Sequence, residues 1–348
     1  MTVLPKLDPD DMYKSIYDFP DHMVTAAKIG HNVSLKNEYS DIRNIVVAGM
    51  GGSAIGGDVV RTLVKDELQV PMVVSRNYPL PKWVNGHTLV ICSSYSGNTE
   101  ETFSAFDQAR EKNAQIIGIS TGGKLTELMH SLDLDVVSIP SGLQPRAALA
   151  LSFVPMMYLL KTLGIIGESS VSQLSNAISL ITASRDNYGL ESNENPTYAL
   201  ANRIYKTIPV IYGETEATSI MAVRWKGQLS ENSKMLAYYN ELPEMNHNEI
   251  VGWENNKELI QQLSIIWLKD DGDHPRTSIR QQSTQKIIGS LAENQEIVSV
   301  GGNALVERYL HLIHFGDWVS YWCAVLHNTD PTPVKKIDQL KEILSEKS

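Results

Sequence analysis

Four apolar residues in a row, Ile45, Val46, Val47 and Ala48, run straight into Gly49-Met50-Gly51-Gly52-Ser53-Ala54-Ile55-Gly56-Gly57-Asp58, and then into a helical pattern that lasts to about residue 65. A short apolar run without alternation is what a parallel sheet buries on both faces. A glycine-rich turn between such a strand and a helix opens a βαβ unit. The rhythm then repeats. Strands are expected at 70–75, 88–92, 116–120 and 135–139, with helices at 99–112 and around 125–130. An apolar helix at 146–163 follows, closed by Gly164 and Gly167. A second series begins with a strand at 208–212 and continues with a helix at 219–233, strands at 264–268 and 296–300, and a long helix at 304–326. A last helix spans about 333–344. Upstream, Met12, Ile16, Phe19, Met23, Ala26 and Ile29 recur at helical spacing across 8–36, and Pro20 is expected to divide that stretch in two.

Short strands alternating with amphipathic helices define an α/β protein with parallel sheets. At 348 residues the chain has the length of two domains. The expected division is an N-terminal helical segment at 1–38, a first doubly wound domain at 39–167, a connection at 168–196 that ends in the polar Ser192-Asn193-Glu194-Asn195-Pro196-Thr197, and a second domain at 197–348. A formal charge of −10 argues against a general nucleic-acid binder, which needs a basic stripe. It does not forbid an anionic substrate, because amides and hydroxyls capture phosphate locally. No apolar run approaches the roughly 20 residues that span a bilayer. The first residues lack a basic stretch followed by an apolar one, so no signal peptide is expected. Cys92 and Cys323 show neither metal-site nor CxxC spacing. A soluble protein of a reducing, cytoplasmic compartment is the expectation.

Two stretches carry candidate chemistry. The glycine-rich turn after 45–48 lets a ligand approach the backbone closely and ends at a helix N-terminus, which attracts anions. Gly49, Gly51 and Ala54 also fit a dinucleotide fingerprint, which wants an acidic residue about 20 positions on. Val73-Val74-Ser75-Arg76 stands there, with no carboxylate, although Arg76 suits a 2′-phosphate. A tight turn with no ligand is the plain alternative. The second stretch is Ser93-Ser94-Tyr95-Ser96-Gly97-Asn98-Thr99-Glu100-Glu101-Thr102, also between strand and helix. Ser94, Ser96, Thr99 and the amides of 97–99 supply the converging donors that a phosphate dianion requires. Capping by Thr99, with Glu100 and Glu101 in the first turn, accounts for part of this pattern. It does not account for so many hydroxyls.

Together these two stretches resemble the sugar isomerase (SIS) domain, whose serine- and threonine-rich loop holds a sugar phosphate. Further stretches resemble the bifunctional phosphoglucose/phosphomannose isomerase family over nearly the whole chain: Pro145-Arg146-Ala147-Ala148-Leu149, the run from Trp225 to Lys234, Asn246-His247-Asn248-Glu249 and Asp330-Pro331-Thr332-Pro333-Val334. The resemblance implies two SIS-type domains and the interconversion of fructose 6-phosphate with glucose 6-phosphate and mannose 6-phosphate through a cis-enediol, with no metal and no cofactor. It also implies roles. Gly51, Gly52, Ser53, Ser94, Ser96 and Thr99 would hold the phosphate and nearby hydroxyls, and Arg146 would steady the enediolate. Glu231 would shuttle the proton and His247 would open the ring. A lysine of the last helix would assist; Lys336 and Lys341 both qualify, point roughly 140° apart, and Lys341 is preferred. Thr332 or Thr329 would position the sugar.

The resemblance further implies an active site between the domains and a homodimer that shares its histidine across subunits. Its partners would then be a small sugar phosphate and a second copy, with neither nucleic acid nor membrane. His311 and His314, three apart on one helix, are expected to be packing or interface residues. Two alternatives stay open: a sugar-phosphate sensor without turnover, and an NAD(P)-dependent oxidoreductase.

Overall fold

The apolar runs become strands of two parallel sheets in a computed structural model that describes residues 4–346. The first sheet holds β1 (Asn44–Ala48), β2 (Met72–Ser75), β3 (Thr88–Ser94), β4 (Gln115–Ser120) and β5 (Asp135–Ser138) in the order β2-β1-β3-β4-β5. The second holds β6 (Ile208–Glu214), β7 (Tyr238–Leu242), β8 (Leu263–Leu268) and β9 (Asn294–Val298) in the order β7-β6-β8-β9. All pairings are parallel. The expected α/β class with two doubly wound sheets is therefore what the chain forms.

Two compact units contain these sheets. One comprises Asp18–Ala183 with Gly301–His311; the other comprises the segment up to Tyr17, then Ser184–Val300, then everything from Leu312 onward. In the first unit β3 is buried along its whole length. One face of the sheet meets a core of Val46, Val90, Cys92, Phe106, Ile116 and Met129. The helix Leu149–Thr162 is buried from Leu149 through Leu160 and packs on the helices Phe19–His31 and Gly51–Leu63. Pro20 falls in the first turn of Phe19–His31, where a missing N–H costs nothing, so the N-terminal stretch breaks where expected, after Met12–Tyr17.

In the second unit Tyr212 stacks on Trp267 at 4.7 Å within a core that includes Leu242, Trp253, Ile265 and Ile288. The helix Thr218–Asn232 is set by a polar ladder on one face. Arg224 forks onto Asp317, with Nε 3.0 Å from Oδ1 and Nη2 2.6 Å from Oδ2. One turn on, Gln228 Nε2 donates to Asp317 Oδ1 at 3.0 Å, and a further turn on Asn232 Nδ2 donates to Ser320 Oγ at 2.9 Å. Burial pushes the Asp317 carboxyl up, and the arginine and amide donors oppose that push. The spacing of these donors repeats every four residues, so the ladder fixes both the rotation and the axial register of the helix.

Several boundaries differ from expectation. The helix after β1 starts at Gly51 rather than 54, so two of the glycines lie inside its first turn. The helix expected from 146 starts at Leu149, which leaves Arg146 in the preceding turn. The strand β7 and the helix Pro275–Ile288 were not anticipated. Tyr238-Tyr239-Asn240-Glu241-Leu242 is an edge strand with only Leu242 buried, and Pro275–Ile288 is mostly polar, so neither shows an apolar run.

The ladder generates a stability prediction. Asp317→Ala leaves the Arg224 charge buried beside an empty space and is expected to cost about 3–5 kcal/mol. Replacing Arg224 and Asp317 together by apolar residues of similar volume is expected to recover most of that loss. Urea unfolding followed by far-UV circular dichroism measures both.

Candidate functional site

In the first sheet the connections leaving β1 and β3 diverge to opposite sides, so a crevice opens beyond the carboxyl ends of these two neighbours. Both motifs stand at that point. Close backbone approach holds them together. A Cβ built on Gly52 would lie 2.6 Å from the Pro145 carbonyl oxygen and 3.7 Å from Arg146 Cα, so only glycine lets the turn carrying buried Arg146 settle against the loop. Gly97 has φ +65°, and its Cβ would fall 1.7 Å from the Gly122 carbonyl oxygen. No other residue fits there.

The hydroxyls are held from within the loop. Ser94 Oγ lies 2.9 Å from Thr99 Oγ1 and accepts from the Gly97 N–H at 3.1 Å. Ser96 Oγ accepts from the Asn98 N–H at 3.2 Å, and Ser53 Oγ accepts from the Tyr95 N–H at 3.2 Å. A hydroxyl that accepts through a lone pair keeps its O–H to give. Thr99 occupies the N-cap of the helix Glu100–Glu111, yet its side chain makes no capping bond there. Its hydroxyl faces Ser94 instead, and with the Thr102 N–H bonded to the Thr99 carbonyl, the Glu100 and Glu101 amides and the positive end of the helix are what an outside acceptor would meet. Capping by Thr99, anticipated from sequence, is therefore not how this hydroxyl is used. Gly51, Gly52, Ser53, Ser94, Ser96, Thr99 and Arg146 thus gather in one unit.

Tyr95 joins them and was overlooked. Its phenol oxygen accepts from the Leu143 N–H at 3.1 Å, and its carbonyl accepts from Thr121, so it ties this loop to the chain leading to Arg146. Its place among the serines was the only signal. Arg76 does not serve as imagined for a 2′-phosphate, because its guanidinium is paired with Asp58 of the helix Gly51–Leu63.

The remaining predicted residues lie in the other unit. Glu231 is half-buried in the last turn of Thr218–Asn232. His247 is exposed at the end of the 3₁₀ helix Glu244–His247. Thr332 is buried, and its N–H donates to Asp330 Oδ1 at 2.9 Å. Lys336 and Lys341 are both exposed on the helix Lys335–Ser345, no residue of which is buried. A cavity of about 410 Å³ in the same unit is lined by residues such as Lys206, Lys234, His327 and Thr329, but by none of the predicted site residues except the alternative Thr329.

His311 and His314 are engaged in packing. His311 Nδ1 lies 3.1 Å from the Gly301 carbonyl oxygen, and burial holds its imidazole below the ordinary value. His314 is fully buried, with Nε2 3.0 Å from the Ile16 carbonyl oxygen and from the Trp318 indole nitrogen. Among the described residues no three metal-ligating side chains converge. Both cysteines are buried thiols, and burial pushes Cys92 up to about 12. No helix among the described residues is long and apolar enough to cross a membrane.

Comparison with known proteins matches residues 193–344 to the family model described as bacterial phospho-glucose isomerase C-terminal SIS domain. The bifunctional phosphoglucose/phosphomannose isomerase of Caldicellulosiruptor bescii is 45% identical over 96% of this chain and 99% of its own length. The protein of the same name from Aquifex aeolicus is 37% identical over 89% of this chain and 93% of its own. Among solved structures, the C-terminal domain of glucosamine-fructose-6-phosphate aminotransferase from Francisella tularensis superposes with a TM-score of 0.71 at 13% identity, covering 92% of this chain and 98% of that one. That likeness shows the shared fold.

The second sheet has its own divergence point, between β6 and β8, but its chemistry is opposite. Glu214 ends β6, and Asp270 and Asp273 follow β8. The Asp270 N–H donates to Asp273 Oδ2 at 2.9 Å. Burial first, then the neighbouring Glu214 and Asp270 carboxyls, push Asp273 up to about 7. Carboxylates repel a dianion, so only one of the two crevices suits phosphate. A carboxyl raised in the folded state contributes stability that is full below its unfolded value near 3.8 and is lost as pH rises through about 7. Asp273→Asn is therefore expected to raise the melting temperature at pH 8 and to change it little at pH 4, as read by scanning fluorimetry.

Proposed function

From the premise that this chain belongs to the family of bifunctional phosphoglucose/phosphomannose isomerases, we propose that it interconverts fructose 6-phosphate with glucose 6-phosphate and mannose 6-phosphate through a cis-enediol. The observation that carries the reading is the hydroxyl cluster of Ser94, Ser96 and Thr99 at an uncapped helix N-terminus, with Arg146 beside the glycine turn. A hexose 6-phosphate offers a dianion for the first and a reacting carbonyl oxygen for the second.

Each step then has a group. The phosphate is held by Ser94, Ser96, Thr99 and the loop amides, with Gly51, Gly52 and Ser53 near the sugar hydroxyls. His247 protonates the ring oxygen as the ring opens, aided by Lys341 or Lys336, while Thr332 positions the chain. The Glu231 carboxylate removes a proton from C1 of the open ketose and returns it to C2, on one face for glucose 6-phosphate and on the other for mannose 6-phosphate. Arg146 offsets the negative charge that builds on the enediolate oxygen, a fixed cation aimed where charge develops. The exposure of His247 supports its delivery to a second subunit of a homodimer. The hydroxyl proton passes from O1 to O2 of the cis-enediolate as the C1 proton passes to C2, so the isomerisation has no net redox change and calls on neither a metal nor a nucleotide.

A coupled assay for glucose 6-phosphate and mannose 6-phosphate formation tests this. Glu231→Gln is expected to lower kcat by about 10²–10⁴-fold, the usual worth of a positioned base, with fructose 6-phosphate binding by calorimetry little changed. EDTA is expected to leave the wild-type rate intact. A wild-type chain that binds fructose 6-phosphate and converts none of it would instead be a sensor, and turnover that needs NAD(P) would be an oxidoreductase.

A further inference from the structure

Lys234 stands two residues past Asn232, the last residue of the helix that carries Glu231, and its backbone has φ +57°. That region suits glycine, and a side chain there is held under strain. The side chain is also where the position is used. Lys234 Nζ donates to the carbonyl oxygens of Glu231 at 2.7 Å, Asn232 at 3.2 Å and Pro331 at 2.9 Å. An ammonium has three N–H donors, and here three carbonyls receive them. Two of the carbonyls close the helix Thr218–Asn232, whose negative end a cation neutralises. The third belongs to the residue directly before Thr332, in the turn that leads to the helix carrying Lys336 and Lys341.

One cation therefore clamps the peptide of Glu231 to the chain entering the C-terminal helix. The Arg224–Asp317–Gln228 and Asn232–Ser320 bonds fix the body of the same helix, but they lie on its other contacts and stop at Asn232. The Glu231 carbonyl itself is held at its free end by Lys234. The Ser233 and Met235 N–H groups both return to Leu229, so the turn around Lys234 is formed by backbone bonds that do not require the lysine side chain. The ammonium thus adds to a helix end that the backbone already forms, and among its three acceptors the Pro331 carbonyl is the one outside that helix.

We propose that Lys234 is a positioning residue for the isomerisation, holding Glu231 in register with the segment that bears Thr332 and the C-terminal lysines. This rests on the assignment of Glu231 as the base. Phosphate capture lies elsewhere in the chain, so loss of the clamp lowers turnover and leaves substrate binding nearly unchanged.

The full-length enzyme carrying Lys234→Gly, Lys234→Arg or Glu231→Gln tests this by initial rates with fructose 6-phosphate and by thermal unfolding. Glycine relaxes the backbone while removing the ammonium. Lys234→Gly is expected to melt at or above the wild-type temperature, to lose about 10- to 100-fold in kcat, the scale of a small misplacement of a reacting group, and to keep KM within about threefold. Lys234→Arg, whose guanidinium can reach the same carbonyls, is expected to recover most of that loss. Wild-type kcat in Lys234→Gly overturns the clamp while an inactive Glu231→Gln leaves the base assignment standing. A fall in kcat that tracks a lowered melting temperature, or no recovery with arginine, assigns Lys234 a merely structural role and overturns the proposal. Full activity in Glu231→Gln overturns both.

Discussion

The crevice proposed to take phosphate depends on two places where no Cβ is tolerated. Gly52 lies against the Pro145 carbonyl and Gly97 against the Gly122 carbonyl, each closer than a side chain allows. The first contact sets the Arg146 turn beside the helix that follows β1. The second folds the serine-rich loop over the loop after β4, so that Ser94 turns to Thr99 and the helix Glu100–Glu111 begins uncapped. Chain topology supplies the place, since β1 and β3 send their connections apart. The missing side chains supply the fit. A dianion arriving there meets donors already oriented, so little ordering cost falls on binding.

The second unit repeats the sheet plan with different residues at its divergence point. Its divergence point is acidic, with Asp273 held protonated to about neutral pH by burial and by Glu214 and Asp270. The chemistry assigned to this unit sits instead on helix ends. The Arg224–Asp317 pair is too deeply buried to be a cheap source of stability, because desolvating two charges offsets most of their attraction. What it does supply is direction: with Gln228, Asn232 and Ser320 it leaves the helix Thr218–Asn232 a single orientation, and so a single heading for Glu231. In the proposed function one copy of this architecture grips an anion and the other aims a carboxylate.

Much of the fold was legible in the sequence because parallel strands are apolar on both faces. All five strands of the first sheet and three of the second were expected from short apolar-rich segments, although β9, Asn294–Val298, is apolar only in its last two residues. The strand β7 was not expected, because an edge strand with exposed Tyr238 and Tyr239 has no second face to bury. The loop proposed to take phosphate was singled out by residue type and by its place between strand and helix. The contacts of Tyr95 and Lys234 were not, since they depend on where a phenol oxygen and an ammonium point. Arg76 misled for a related reason: sequence spacing placed it well for a 2′-phosphate, and its Asp58 partner, 18 positions upstream, became visible only in three dimensions.

The proposed function requires that a sugar whose phosphate meets Ser94, Ser96 and Thr99 also offers its first two carbons to the Glu231 carboxylate. A crystal structure of the enzyme with 5-phosphoarabinonate, an open-chain mimic of the enediolate, measures both ends at once. The account predicts phosphate oxygens within hydrogen-bond distance of those three hydroxyls and a Glu231 oxygen about 3 Å from the atoms that stand for C1 and C2. A phosphate seated elsewhere, or a Glu231 carboxylate out of reach of the bound chain, would contradict it.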